Sequence, residues 1–489
     1  MLTFLVFFPV VGAILIATLR REDERYAKYL ALGVTGTLLI VSLVVFGLFE
    51  RGEEGLQFVE QFRWIREQDA GFDIQYFLGV DGLGLTMVVL TTFLFTVAVL
   101  VSWNVEKRTK EYFAWMLALM TGVMGVFTAQ DLILFFLFWE VELVPMFFLI
   151  SIWGSGRKEY SAMKFLLFTI TGSALMLAGI LALAFSAEPA TFDMVVLRDA
   201  DLSNVVLPLP AIFFLLFIGF AVKLPIFPLH TWLPDAHTDA PTAVSVILAG
   251  VLLKMGAYGI LRIPVSIMPD TAHDYAVWMA SIAAASILYG AFMTLRQTDL
   301  KRLIAYSSVS HMGYVLLGIA TLGHIGMTGA ALQMFSHGVI TGLLFVMVGM
   351  IYDRTHTRDI RELSGLAHHM PIIATAMIMA GLASLGLPAM SGFVAEVMVF
   401  LGAADQFVAQ TIIGVIGILL SAGYILWMVR RVMFGPKDPK WAGLSDATSW
   451  WEQVPIAAMI AVIIAVGIWP ARLIEVIDQG ILPLAARLL

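Results

Sequence analysis

The chain has 489 residues, 60% of them hydrophobic and 13% charged, with a mean hydropathy of +0.90, whereas an ordinary soluble chain carries roughly 25% charged residues. A formal charge of −7, from 29 Lys+Arg and 36 Asp+Glu, excludes a basic surface for nucleic acid. The lack of cysteine excludes disulfides, iron–sulfur clusters and thiolate zinc sites, so the composition is that of an integral membrane protein.

Apolar stretches of about 20 residues, each long enough to cross a hydrocarbon layer of about 30 Å, recur along the chain and predict a helical bundle rather than a barrel. Their centres lie near residues 11, 39, 91, 121, 142, 174, 220, 252, 284, 313, 338, 388, 420 and 463. The first stretch, Leu2 to Leu19, is followed by Arg20, Arg21 and Arg25. A cleavable signal has its positive charge before the apolar core, so this stretch is expected to be a retained helix. The longest polar connections, about 50–77 and 352–370, read as ordinary loops within one domain spanning 1–489. That domain divides into three N-terminal helices (1–110), a five-helix unit (111–262), a second five-helix unit (273–433) and a last helix (453–475).

Two spans are interrupted: the seventh by Lys-Leu-Pro-Ile-Phe-Pro at 223–228 and the twelfth by Gly-Leu-Pro-Ala-Met-Ser-Gly at 386–392. Proline removes a backbone donor, and such breaks survive in a bilayer where they line a protein-buried or wet cavity. A separation of five spans is odd, which gives the two units opposite orientations, as in many transporters. The expected fold is an all-α polytopic membrane protein of about 14 transmembrane helices, with two inverted five-helix repeats and broken seventh and twelfth helices.

Basic residues sort strongly between the connections. Twenty fall on one side, in 20–28, 107–110, 157–164, 296–302, 354–361 and 430–440, and seven on the other: Arg51, Arg63, Arg66, Arg198, Arg262, Arg472 and Arg487. The positive-inside rule then puts both termini on the non-cytoplasmic side. The two remaining cations, Lys223 and Lys254, lie inside spans, as do Glu140, Glu142 and Glu396. Each intramembrane charge costs roughly 2.5–3.5 kcal/mol, so the four sites, counting Glu140 and Glu142 as one, represent about 10 kcal/mol that a purely structural bundle would avoid.

A Glu–Lys pair in low dielectric has two useful states: closed, the lysine keeps its proton, and open, the desolvated ammonium gives it up. Glu140 and Glu142 stand two residues apart, about 200° around a helix, and cannot share one face. Glu140 is the better candidate to face a lysine, and Glu142 faces another helix or a neighbouring subunit. His311 and His337 are each the group in their span able to titrate near neutrality, and imidazole can accept on one nitrogen while donating from the other. Across the spans the order is Glu, Lys, Lys, His, His, Glu, a set of proton carriers. Ser307, Ser308, Ser310 and Thr341 either bridge waters along it or bond helix carbonyls. No phosphate-binding glycine loop occurs, and His230 and His237 show no metal-ligand spacing.

The stretch VKLPIFPLHTWLPDAHTDAPT (222–242), with SVILAGVLLKMGAYGILR (245–262), LKRLIAYSSVSHMGYVLLG (300–318) and FWEVELVPMFFL (138–149), resembles the antiporter-like subunits of respiratory complex I, shared with multisubunit cation/proton antiporters and membrane-bound hydrogenases. The resemblance covers essentially the whole chain. It implies that Glu140 and Lys223 form an ion-pair switch, that Lys254 is the central lysine, that His311 and His337 connect, and that Glu396 is the terminal residue. It also matches Asp131, at the start of the fifth span, to an acidic residue of the family. Glutamate at 396, where sibling chains usually carry lysine, and the lack of a long lateral helix after the last span point to one branch of the family.

The implied activity is vectorial proton transfer, coupled to quinone reduction by an NADH:quinone oxidoreductase. No redox centre, cofactor or metal is expected in this chain, with FMN, iron–sulfur clusters and quinone in partner subunits. The expected partners are the other membrane subunits, including sibling antiporter-like chains, in the bilayer of a bacterial inner membrane. The alternatives are a subunit of a multisubunit Na+/H+ antiporter, a ferredoxin-dependent photosynthetic relative, and a structural spacer.

Overall fold

The computed structural model describes residues 1–52, 55–67, 72–202 and 204–488. Parts of the 50–77 connection, residues 53–54 and 68–71, lie outside the described residues. Helices α1 (Leu2–Thr18) and α2 (Ala27–Leu48) open the chain. A hairpin of β1 (Gln57–Glu67) and β2 (Phe72–Val80) follows, antiparallel, with Phe62 opposite Tyr76. Then come α3 (Gly82–Val101), α4 (Thr109–Thr128), α5 (Leu132–Val141), α6 (Leu143–Trp153), α7 (Lys158–Ala184) and the short α8 (Met194–Leu197). The seventh span is α9 (Leu209–Lys223) and α10 (Trp232–Asp239), and the eighth is α11 (Thr242–Ile247) and α12 (Leu253–Ile260). After α13 (Pro269–Asp274) stand α14 (Ala276–Leu295), α15 (Leu300–Ala320) and α16 (His324–Thr355). The twelfth span is α17 (Pro371–Ser384) and α18 (Ser391–Ala403), followed by α19 (Val408–Met433), α20 (Trp450–Ile468) and α21 (Ala471–Leu488).

Eleven helices among the described residues are long and apolar enough to cross a membrane, and four shorter apolar helices join them, including both sides of the twelfth-span break. The α11–α12 span, α15 and α16 are buried all round, whereas α2, α19 and α20 keep broad apolar faces exposed. Among the described residues the bundle thus has a buried centre of three spans, and an outer ring whose exposed apolar surface suits lipid.

Both expected breaks are present. Pro225 stops α9 just after Lys223, and the indole Nε1 of Trp232 donates to the freed carbonyl of Val222 at 2.8 Å. At the other break, Gly386 takes φ +76°, a left-handed conformation that favours glycine. An additional interruption falls in the fifth span, where α5 gives way to α6 at Glu142. Pro145 has no N–H for the carbonyl of Val141, which loosens the turn there. The eighth span contains two π-helical stretches, Leu248–Leu252 and Leu261–Val265, on either side of Lys254.

Three features depart from the expected layout. The 50–77 connection holds a β-hairpin, whose first strand is exposed over residues 61–65 and whose second is buried from Phe77 to Val80. The hairpin docks on the start of the fifth span, where Asp131 caps α5 through Ile133 N and Leu134 N and also accepts from Gln75 N at 3.0 Å. Beyond the last span, the chain forms the amphipathic helix α21, lying across the beginning of α3, where a Cβ on Gly82 would sit 1.5 Å from the Val476 carbonyl oxygen. Arg262, expected in a connection, is buried and paired with Asp81 at 2.7 Å.

The basic connections meet one another at a single end of the bundle. Lys164 and Arg302 both reach Asp235, Arg358 reaches Asp299, and Arg354 reaches Glu452 at 2.6 Å. At the opposite end Arg51 meets Glu475, and Arg487 meets Asp199.

Candidate functional site

Lys223 is the last residue of α9, and its ammonium sits at the negative end of a half-helix that Pro225 cuts short. It is buried and in direct contact with the carboxylate of Glu142, which is fully buried at the α5–α6 interruption. The ammonium also stands 4.3 Å from the centre of the Trp139 ring, a cation–π contact. Gly122 lets α4 approach: a Cβ there would meet the Glu142 backbone nitrogen at 2.9 Å.

The expected pairing of Glu140 with Lys223 is therefore corrected, since Glu142 is the contact partner. Glu142 keeps right-handed helical dihedrals and falls on the buried face of the span with Phe135, Phe138, Trp139 and Met146, whereas Glu140, about 200° away, does not. Glu140 is half-buried, with Oε1 enclosed and unpartnered among the described residues. Its charge is close enough to act on Lys223 as well.

The second group forms a run of contacts. Lys254 is fully buried between the two π-helical stretches, and its Nζ donates to the carbonyl of Ala249, five residues back, and lies 2.8 Å from Nδ1 of His337. The wider turn thus leaves a carbonyl available to hold the ammonium. The His337 and His311 rings stand 5.6 Å apart, centre to centre. His311 Nδ1 is 3.4 Å from Glu396 Oε1, and Ser384 Oγ is 3.4 Å from His311 Nε2. A small cavity lined by His311, Gln333, His337, Ser384 and Glu396 opens among these groups. Gly386 fits here for a steric reason, because a Cβ on it would come within 2.6 Å of Glu396 Oε2.

The structure thus brings Lys254, His337, His311 and Glu396 together in one line, and Lys223 with Glu142 in a separate pair. The two groups adjoin through packed helices: a Cβ on Gly256 of α12 would lie 2.6 Å from the Leu224 backbone nitrogen, just past Lys223. Asp131 is remote from both and holds the hairpin. Burial pushes its carboxyl up to about 6, against the lowering effect of its backbone donors.

Sequence reasoning missed Gln333 and Ser384, whose polarity alone does not separate them from packing residues. Among the described residues, no three His, Asp or Glu side chains converge as a metal would require.

Comparison with known proteins fits this architecture. Residues 129–421 match the family model described as NADH:quinone oxidoreductase/Mrp antiporter, TM. The chain belongs to that family. Within it, the chain is 40% identical to NADH-quinone oxidoreductase subunit M of Rhodobacter capsulatus, over 98% of this chain and 95% of the relative. It is likewise 40% identical to NAD(P)H-quinone oxidoreductase chain 4 1 of a Picosynechococcus species, over 99% and 92%. In structure it is similar to a chain of respiratory complex I from Thermus thermophilus, with TM-score 0.89 and 26% identity over the full length of both. The fold also matches a chain of the Mrp complex from a Dietzia species, with TM-score 0.85, 21% identity, and coverage of 100% and 97%.

Proposed function

We infer that this chain is a proton-translocating membrane subunit of an NADH:quinone oxidoreductase, in which the buried Lys, His and Glu side chains carry the proton. The observation that carries this reading is the run of contacts from Lys254 through His337 and His311 to Glu396, in the fully buried centre of the bundle. Every member can gain and lose a proton, and none is placed for bond-making chemistry. Full-length similarity to subunit M and chain 4 relatives, and to a chain of complex I, supports the assignment of the complex.

In this reading, the end that gathers the basic connections faces the cytoplasm of a bacterial inner membrane, and both termini lie on the other side. Electron transfer through FMN, iron–sulfur clusters and quinone belongs to partner subunits, and sibling antiporter-like chains are neighbours. Lys223, held by Glu142 and influenced by Glu140, is the switch. Closing the pair keeps the proton on the lysine, and opening it releases charge toward Lys254. Moving one charge against 100 mV requires about 2.3 kcal/mol, within reach of opening one buried ion pair.

The test uses the assembled complex in sealed membrane vesicles. Lys254→Ala is expected to reduce NADH-driven proton uptake to background, with the complex still present in the membrane. Uptake equal to wild type would overturn the relay. Sodium-dependent antiport without NADH oxidation would instead support the antiporter subunit.

A further inference from the structure

A second polar site lies at the end of the bundle opposite the basic connections. It is a cavity of about 150 Å³, and its lining includes Asp81, Arg198, Arg262, Ser266, Gln479 and Arg487. Separate segments supply these residues: Asp81 caps α3, Arg198 ends α8, Arg262 and Ser266 close the eighth span, and Gln479 and Arg487 belong to α21.

Three guanidiniums therefore share the space with one carboxylate of the wall. Arg262 is buried and satisfied, with Nη2 at 2.7 Å from Asp81 Oδ1 and Nε donating to the Tyr258 hydroxyl at 3.2 Å. Asp81 also accepts from the backbone N–H of Gly84 at 2.9 Å, so this pair is closed on itself. Arg487 donates from Nη1 to Asp199 at 2.6 Å and from Nη2 to the backbone carbonyl of Arg198. The last contact draws a second cation against the segment that carries Arg198. The Arg198 side chain has no hydrogen-bond or ion-pair partner among the described residues, and its Nε is enclosed. It is nevertheless close enough to feel the charges of Arg262, Asp81 and Arg487.

A largely buried guanidinium without a counter-ion is costly, and like charges gathered around it add to the cost. The chemistry of the lining suits one class of anion. A guanidinium fork offers paired N–H groups that match two oxygens of a phosphate, and Ser266 and Gln479 bring neutral donors to the same cavity. The depth fits as well. Helix α21 is amphipathic, burying Leu473, Val476, Ile477 and Ile481, and it lies across the start of α3, at the level of the membrane surface where lipid phosphates sit. Leu83 and Leu484 give the cavity an apolar wall beside its arginines.

We propose that the cavity between Arg198, Arg262 and Arg487 binds a phosphate-bearing anion, either the free ion or the headgroup of an anionic phospholipid, with Arg198 as its principal partner. No bond is made or broken. The anion supplies a counter-charge to Arg198 and ties α21 to the end of the eighth span and to the connection after α7. This site is independent of the relay, and its test does not depend on proton pumping.

For the test, the assembled complex is purified in detergent from wild type, Arg198→Gln and Arg487→Gln, and its amount is read from native gels. One arm equilibrates it with radiolabelled inorganic phosphate, the other with detergent micelles containing radiolabelled phosphatidylglycerol, and the label held per complex is counted after gel filtration. The proposal expects Arg198→Gln to hold one phosphate group fewer per complex than wild type. A deficit in the first arm identifies free phosphate as the occupant, and a deficit confined to the second identifies the lipid headgroup. An Arg198→Gln complex that holds the wild-type amount in both arms would overturn the proposal. Should Arg198→Gln fail to assemble, Arg487→Gln decides, because its side chain is partly exposed near the end of α21. A deficit of one phosphate group there supports the site, and wild-type retention in both arms overturns it.

Discussion

The two buried polar groups differ in how they hold charge. Around Lys223, opposite charges touch: Glu142 meets the ammonium directly, Trp139 covers it, and Glu140 stands nearby. Around Lys254 no carboxylate among the described residues touches the lysine, whose partners are a carbonyl and an imidazole, and the first acid along the run is two histidines away at Glu396. The first arrangement suits storing a charge and the second suits passing one. A buried ion pair resists change because losing one partner strands the other, at about 3–5 kcal/mol, whereas neutral hydrogen-bonding groups exchange protons without stranding a charge.

The comparison can be broken most directly at the pair. In sealed vesicles, the double variant Glu140→Gln/Glu142→Gln is expected to lose NADH-driven pumping to background, with each single variant several-fold lower than wild type. A Glu140→Gln single variant as inactive as the double would return the switch to Glu140 alone, and the contact seen at Glu142 would then be a resting arrangement.

A smaller effect is expected in the run. Gly386→Ala forces a left-handed backbone at a cost of about 1–2 kcal/mol, and its methyl group displaces the Glu396 carboxylate. Pumping should fall by a few-fold while NADH oxidation persists, and unchanged pumping would separate Glu396 from the path.

The smallest effect is away from both groups, at Asp131. Its folded carboxyl titrates at about 6, above the usual carboxylate range, so the folded state holds the proton more tightly. Stability from this site is complete below about pH 4 and is lost as pH rises through 6, by up to about 3 kcal/mol. Asp131→Asn keeps the cap and should remove this dependence, and Asp131→Ala should remove it too while losing the cap, leaving it about 1–2 kcal/mol less stable than Asp131→Asn at either pH. Thermal unfolding in detergent at pH 4 and pH 7.5 checks both, without change in protons per NADH.

Much of the fold was legible because lipid imposes simple rules. Apolar length marked the spans, Pro and Gly marked the breaks at Lys223 and before Glu396, and lone ionisable residues marked the line from Lys254 to Glu396. The choice between Glu140 and Glu142 was not legible, since the span is apolar all round and hydropathy does not tell which of its faces is packed, although Glu142 falls on the buried face at ordinary helical spacing. Arg262 was hidden for a related reason: its partner Asp81 is far away in sequence, and the composition of a loop cannot reveal a buried pair.

The central claim is that the run of contacts from Lys254 ends productively at Glu396. Protons moved per NADH oxidised, measured in sealed vesicles holding the assembled complex with Glu396→Gln, test it most directly. The account predicts a fall in that ratio with the amount of complex unchanged. A ratio equal to wild type would contradict it.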